Sequence, residues 1–316
     1  MNRRQFLAAW FACVALVALA VLARADPTVL FEKTSAYNTI VVTEEENGVR
    51  ALRFGRNGVR QSVVKVGDPD YLALPYVQVA LVGLAMSEDP RRFLVVGLGG
   101  GTLPMFLRKY YPNATIDAVD IDPEVVDVAK KFFGFREDEL MTAHIGDGRQ
   151  FIEKSRRPYD VIFLDAYGGD SIPAHLTTQE FLQAVRRAVT PGGVVVGNLW
   201  GRSANPLYDS MVRTYQEVFD ELLILDVRGA SNMILLALPR KQPLSRDKLI
   251  ELARNLSATR RFPFDLGDPV KYGYLDARAK IQDGRVLRDR DLVQRAQGCA
   301  RDIAASVDTR RSLRPC

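Results

Sequence analysis

Histidine and cysteine are nearly missing from this chain of 316 residues, which has two of the first and three of the second. His144 and His175 stand far apart, and Cys13, Cys299 and Cys316 form no CxxC, so the usual zinc spacings are excluded and no metal is expected. Internal repeats and long low-complexity tracts are also absent. What is left is an ordinary globular composition, 47% hydrophobic and 26% charged. The net charge of +5 misleads when read globally. Three arginines lie in the first 25 residues, and residues 241–316 carry 17 Lys+Arg against 10 Asp+Glu, which leaves residues 26–240 at −5. The basic tail has no interleaved aromatics, so nucleic-acid binding is a poor reading, and the acidic body suits a cationic small molecule.

Residues 1–25 read as a targeting segment. Arg3-Arg4-Gln5-Phe6-Leu7 resembles a twin-arginine export signal, an apolar run follows from Phe6 to Ala23, and Ala23-Arg24-Ala25 offers a small-x-small cleavage pattern. The expectation is export to the periplasm with cleavage near Ala25. The alternative is a retained membrane anchor through residues 6–23, whose 18 apolar residues are at the lower limit for a bilayer span. Cleavage would leave Cys299 and Cys316 as an even pair, whose bridge would close a loop of roughly 17 residues worth about 3 kcal/mol. Free thiols are the other possibility.

Residues 26–88 read as a small β domain, with strands over 38–43, 49–54 and 59–66 and a helix from about Leu72 to Met86. Residues 89–240 alternate as a Rossmann-like nucleoside-binding domain. Strands are predicted at 93–97, 115–120, 142–146, 159–165, 193–199, 222–227 and 232–238. The first five call for helical crossovers and a parallel sheet. Arg228 to Ser231 is too short for one, so the last two should form an antiparallel hairpin. Such an α/β arrangement resembles the class I methyltransferase variant of the Rossmann-like fold. Residues 241–316 read as a basic extension with helices over 246–256 and 288–303.

The most informative stretch is Phe93 to Asp122. An apolar strand runs into Gly97, Gly99, Gly100 and Gly101, a helix follows, and a second strand ends in Asp120. Glycines let backbone approach a ligand, and an acid about 20 residues on can bond ribose hydroxyls. Asp147, between Gly146 and Gly148, follows the third strand; Asp165 ends the fourth, and Asp170 lies in the loop beyond it. Ligands of open parallel sheets sit at these strand ends. Asp147 can present a carboxylate to an adenine edge, and Asp165 can hold an amine or accept its proton. Gln61 and Tyr76 are candidates to close the pocket from above.

Glu32 to Ile40, Gly58-Val59-Arg60-Gln61, the glycine loop, Val119 to Pro123, Gly146-Asp147-Gly148, Tyr159 to Asp165 and Pro191-Gly192-Gly193 follow, in order, the pattern of spermidine synthases. The chain resembles that family of polyamine aminopropyltransferases over residues 29–240. The resemblance implies transfer of an aminopropyl group from decarboxylated S-adenosylmethionine to a polyamine such as putrescine. It implies Asp165 as catalytic residue, Asp120 on the ribose, Asp147 and Gly148 on the adenine, and Pro173 lining the nucleoside. Asn38 stands where a Gln is usual. A homodimer is also implied.

The departures fall on one side. Gly99 replaces the aspartate that holds the aminopropyl ammonium, Tyr76-Val77-Gln78-Val79 loses a His and a Glu, and Gly168 replaces a second loop aspartate, with Asp170 displaced. Two further readings therefore stand beside the first: an S-adenosylmethionine-dependent methyltransferase, and an exported non-catalytic protein that binds a nucleoside or polyamine.

Overall fold

The computed structural model describes residues 27–169, 171–277 and 279–292. The targeting segment, Asp170, Cys299, Cys316 and most of the predicted 288–303 helix lie outside them. Among the described residues no helix is long and apolar enough to cross a membrane.

Four antiparallel strands open the fold in the order of the chain: β1 (Thr28–Thr34), β2 (Thr39–Glu44), β3 (Val49–Phe54) and β4 (Arg60–Lys65). The sequence reading had no β1. Its side chains are mostly exposed along the sheet's edge, so no buried alternation marks it. The predicted helix from Leu72 divides. Pro75 is tolerated only in a first turn, so α1 begins there and ends at Ala80, and a 3₁₀ segment continues over Leu81–Met86.

The second sheet has eight strands. β5 (Arg92–Val96), β6 (Thr115–Asp120), β7 (Met141–Ile145), β8 (Tyr159–Leu164) and β9 (Val189–Trp200) are the five expected parallel strands. α2 (Thr102–Tyr110), α3 (Pro123–Phe132), α4 (Gly148–Lys154) and α5 (Gln179–Ala188) cross between them. After α6 (Tyr208–Val218), β10 (Glu221–Asp226) and β11 (Asn232–Leu238) form the predicted hairpin, which inserts β11 antiparallel beside β9. With β12 (Tyr274–Leu275) at the edge, the spatial order is β12-β10-β11-β9-β8-β5-β6-β7. The central strands are apolar on both sides because both faces are covered; Val95, Phe163 and Val196 belong to one core, and Leu94, Ile162 and Val195 to the other.

The chain beyond Pro239 is less of an appendage than its composition implied. Ser245 caps α7 (Arg246–Arg260) with its side chain, and Arg261 ends the helix in the left-handed region at φ 57°. Phe262 and Leu266 then enter the first core, and α8 (Gly267–Gly273) leads into β12 (Tyr274–Leu275), which pairs with β10. Neither α8 nor β12 was predicted. Two residues of strand carry no period.

Candidate active site

A cavity of about 690 Å³ opens above the carboxyl ends of the parallel strands, with the Gln61 end of β4 and α1 forming its other wall. Asn38, Gln61, Tyr76, Gly97, Gly99, Asp120, Asp147, Gly148, Asp165 and Pro173 all line it. Gly100 and Gly101 stand behind that wall and back onto Phe133 and Phe135. Asp170 is outside the described residues.

The glycine loop explains how two strand ends come so close. Gly97 has φ +98°, and a Cβ there would lie 2.3 Å from the Asp165 carbonyl oxygen. Only glycine permits this approach. Gly99 is different: at φ +53° an added Cβ would make ordinary contacts with Ser62 and with the Gln61 carbonyl.

The carboxylates at or just beyond the ends of β6 and β7 accept from backbone amides. Asp120 accepts from the amides of Leu98 (2.9 Å) and Asp122 (3.0 Å). Burial raises its pKa against the pull of those amides. Asp147 is the N-cap of α4 and accepts from the Gln150 amide at 2.9 Å. Its other oxygen lies 2.6 Å from Nε2 of His175. Burial works to raise the Asp147 pKa, but the Gln150 amide and His175 outweigh it and the carboxyl titrates below its ordinary value.

Asp165 is held by side chains instead. Asn198 Nδ2, from β9, donates to it at 2.7 Å, and Tyr76 Oη, from α1, at 3.0 Å. Burial pushes its pKa up to about 6, although both hydrogen bonds oppose the rise. Asn198 is itself fixed, since its Oδ1 accepts from Asn232 Nδ2 on β11 at 2.8 Å and its carbonyl accepts from Tyr167 Oη at 3.1 Å. Tyr167 packs on Trp200 with ring centroids 5.2 Å apart, and both rings face the cavity. Asp165 is thus a desolvated carboxylate at the meeting of a glycine loop and an aromatic wall. Such a group can orient a cationic amine and take its proton.

Sequence reading missed His175, Asn198, Asn232, Tyr167 and Trp200. Asn198 left a trace, a lone amide in the buried run Val194 to Trp200. The others carry no signal, because their partners come from remote segments. Among the described residues no group of three His, Cys, Asp or Glu is arranged to hold a metal.

The spermine/spermidine synthase domain model matches residues 76–214. The polyamine aminopropyltransferase of Vibrio vulnificus (strain CMCP6) is 35% identical over 230 residues, 69% of this chain and 76% of that protein. The chain belongs to the spermine/spermidine synthase family. It is also similar to a methyltransferase. The eEF1A lysine and N-terminal methyltransferase of Bos taurus is 36% identical over 215 residues, 62% of this chain, although these span only 31% of that protein. The structure of human methyltransferase-like protein 13 in complex with SAH matches with TM-score 0.55 and 34% identity, over 61% of this chain and 95% of that one. The family resemblance and the Rossmann-like sheet with a preceding β unit, both expected from the sequence, are therefore borne out.

Proposed function

We propose that the cavity transfers an alkyl group from an adenosyl sulfonium to an amine, with Asp165 as the catalytic residue. The observation that carries this is the setting of Asp165: desolvated, facing the cavity, and held by Tyr76 and Asn198. Asp120, Asp147, Gly148, Pro173 and Asn38 would take the nucleoside. In the reaction the amine lone pair attacks the carbon next to sulfur. The N–C bond forms as the C–S bond breaks, the sulfonium becomes a neutral thioether, and the amine proton passes to the Asp165 carboxylate and then to solvent. Positioning for in-line attack supplies most of the acceleration. The proton transfer contributes about 10²- to 10⁴-fold.

Family membership supports aminopropyl transfer from decarboxylated S-adenosylmethionine to a polyamine. Methyl transfer from intact S-adenosylmethionine is the second reading, and a specific observation favours it. Gly99 itself carries no carboxylate to hold an aminopropyl ammonium, and a Cβ there would meet the side chain of Ser62 and the backbone of Gln61. Arg60 also lines the cavity, in a long 3.7 Å ion pair with Glu45, and suits a donor carboxylate.

The test is calorimetric titration of the full chain with both donors and with methylthioadenosine, followed by mass spectrometry of the products with putrescine. Preference for the decarboxylated donor with aminopropyl addition supports the first reading. Preference for the intact donor moves the assignment to methyl transfer. Binding of none of the three sinks both, and leaves the non-catalytic role.

A further inference from the structure

The chain beyond β12 returns to the site. Its backbone runs along α6: Ile281 donates to Gln216 (2.9 Å), Arg285 to Ser210 (3.3 Å) and Leu287 to Thr214 (3.0 Å). Leu287 is buried, and its carbonyl accepts from the amide of Gln179, the first residue of α5, at 2.7 Å. The Asp289 amide then donates to Glu180 at 3.0 Å. These contacts deliver the Asp289 carboxylate to the first turn of α4.

There it meets Arg149 in a two-pronged pair, Nη1 to Oδ1 at 2.8 Å and Nη2 to Oδ2 at 2.6 Å. This is the strong, directional form of a carboxylate–guanidinium contact. Only 19% of the Arg149 side chain is exposed, and its Nε is taken by Glu153. The guanidinium also holds the Asp289 carboxyl below its ordinary pKa. The same Nη1 donates to the main-chain carbonyl of His175 at 3.3 Å. His175, in turn, carries the imidazole that sits on Asp147 at the cavity wall. A continuous chain of contacts therefore runs from Asp289 through Arg149 and His175 to Asp147. Asp289 lies well outside residues 76–214, which match the family's model.

We infer that Leu287–Asp291 is a brace on the nucleoside end of the cavity: Asp289 fixes Arg149, Arg149 tethers the turn that carries Pro173 and His175, and His175 fixes the Asp147 carboxylate against the adenine. Asp289 and Arg149 are positioning residues, since neither lines the cavity. The brace acts on whatever adenosine-bearing ligand binds, independently of the group attached to its sulfur. It rests on the reading of this end as the nucleoside subsite.

The full chain, Asp289→Asn, His175→Ala and the double variant are titrated with methylthioadenosine and with S-adenosylhomocysteine. Asp289→Asn is expected to weaken both ligands by the same factor, about three- to tenfold, the size of an effect passed through an intermediary. The maximal rate at saturating donor should stay within about twofold, because nothing at Asp165 has changed. In the His175→Ala background the Asp289 change should cost little more, because the two act in series. Arg149→Lys keeps the charge but loses the fork, and serves as an independent variant with the same expected direction. Unchanged binding in both Asp289→Asn and Arg149→Lys would overturn the brace, as would full additivity of Asp289→Asn with His175→Ala. Failure of the unaltered chain to bind either ligand is a different result, which removes the nucleoside subsite itself and the brace with it.

Discussion

The two ends of the cavity hold their carboxylates in different ways. In the proposed function Asp120 and Asp147 make the nucleoside end and Asp165 the amine end. Asp120 and Asp147 sit on backbone amides, those of Asp122 and Gln150 close by in sequence and that of Leu98 in the glycine loop 22 residues away. At the amine end Asp165 depends on the side chains of Tyr76 and Asn198, which arrive from 89 and 33 residues away. At Asp147 the Gln150 amide and His175 outweigh partial burial and the carboxyl titrates low, whereas at Asp120 burial outweighs the amides and raises it. Two side-chain donors only partly offset full burial, and Asp165 is left near 6. Asp147 therefore offers a fixed charge and Asp165 a titrating one. A binding subsite needs the first, and a proton acceptor needs the second.

The largest expected effect comes from removing the titrating group. Asp165→Asn should lower kcat about 10²- to 10⁴-fold while donor affinity, read by calorimetry, stays nearly unchanged. A comparable loss of donor affinity would mean that the two ends do not divide the work. The same variant tests the raised pKa. The folded Asp165 carboxyl titrates at about 6 and its ordinary value is 3.8. Its contribution is therefore favourable at low pH and lost as pH rises through 6. Asp165→Asn should accordingly raise stability by an amount on the order of 3 kcal/mol above pH 6, a gain that fades toward pH 4 in thermal melts.

Gly97→Ala attacks the point where the ends meet. A Cβ 2.3 Å from the Asp165 carbonyl, on a backbone at φ +98°, should destabilise the fold by about 3 kcal/mol or more. Denaturant unfolding measures it directly, and a loss under about 1 kcal/mol would mean that the loop can retreat.

Gly99→Asp sharpens the choice of donor. Aspartate tolerates the left-handed region better than most residues, and the site has room for its Cβ. A new carboxylate there should shift preference toward the decarboxylated donor by about 1.5–3 kcal/mol. An unmoved ratio of affinities would place the donor's tail elsewhere.

The smallest effect is expected from Tyr76→Phe. Loss of one donor to the ionised Asp165 should move the acid limb of the kcat/KM profile upward from about 6. Activity near pH 7 should fall about tenfold, the scale of a hydrogen bond to a charged group. A profile that keeps its shape would leave Asn198 as the donor that matters.

What could be read in advance follows the same division. The glycine loop, Asp120 and Asp147 were legible because glycine spacing and the ends of apolar strands mark them along the chain, although the Leu98 amide on Asp120 comes from 22 residues away. Seven of the eight strands of the main sheet were legible through their apolar runs, and the β10–β11 hairpin through the short Arg228–Ser231 link. β1, α8 and β12 were not legible, being an exposed edge, a seven-residue helix and a two-residue strand. Asp165 could be placed at a strand end, but its pair of side-chain donors could not. Nor could the Asp289–Arg149 pair, whose partners are 140 residues apart.

The sequence by itself determined the parallel order of the sheet, the glycine turn and the acids at the strand ends, because period, φ restrictions and capping act over a few residues. Only the tertiary structure decided which carboxylate would be desolvated, which aromatic rings would face it, and that Asp289 would pair with Arg149 behind the turn that carries His175. Burial and side-chain pairing depend on segments that meet only after the chain has folded.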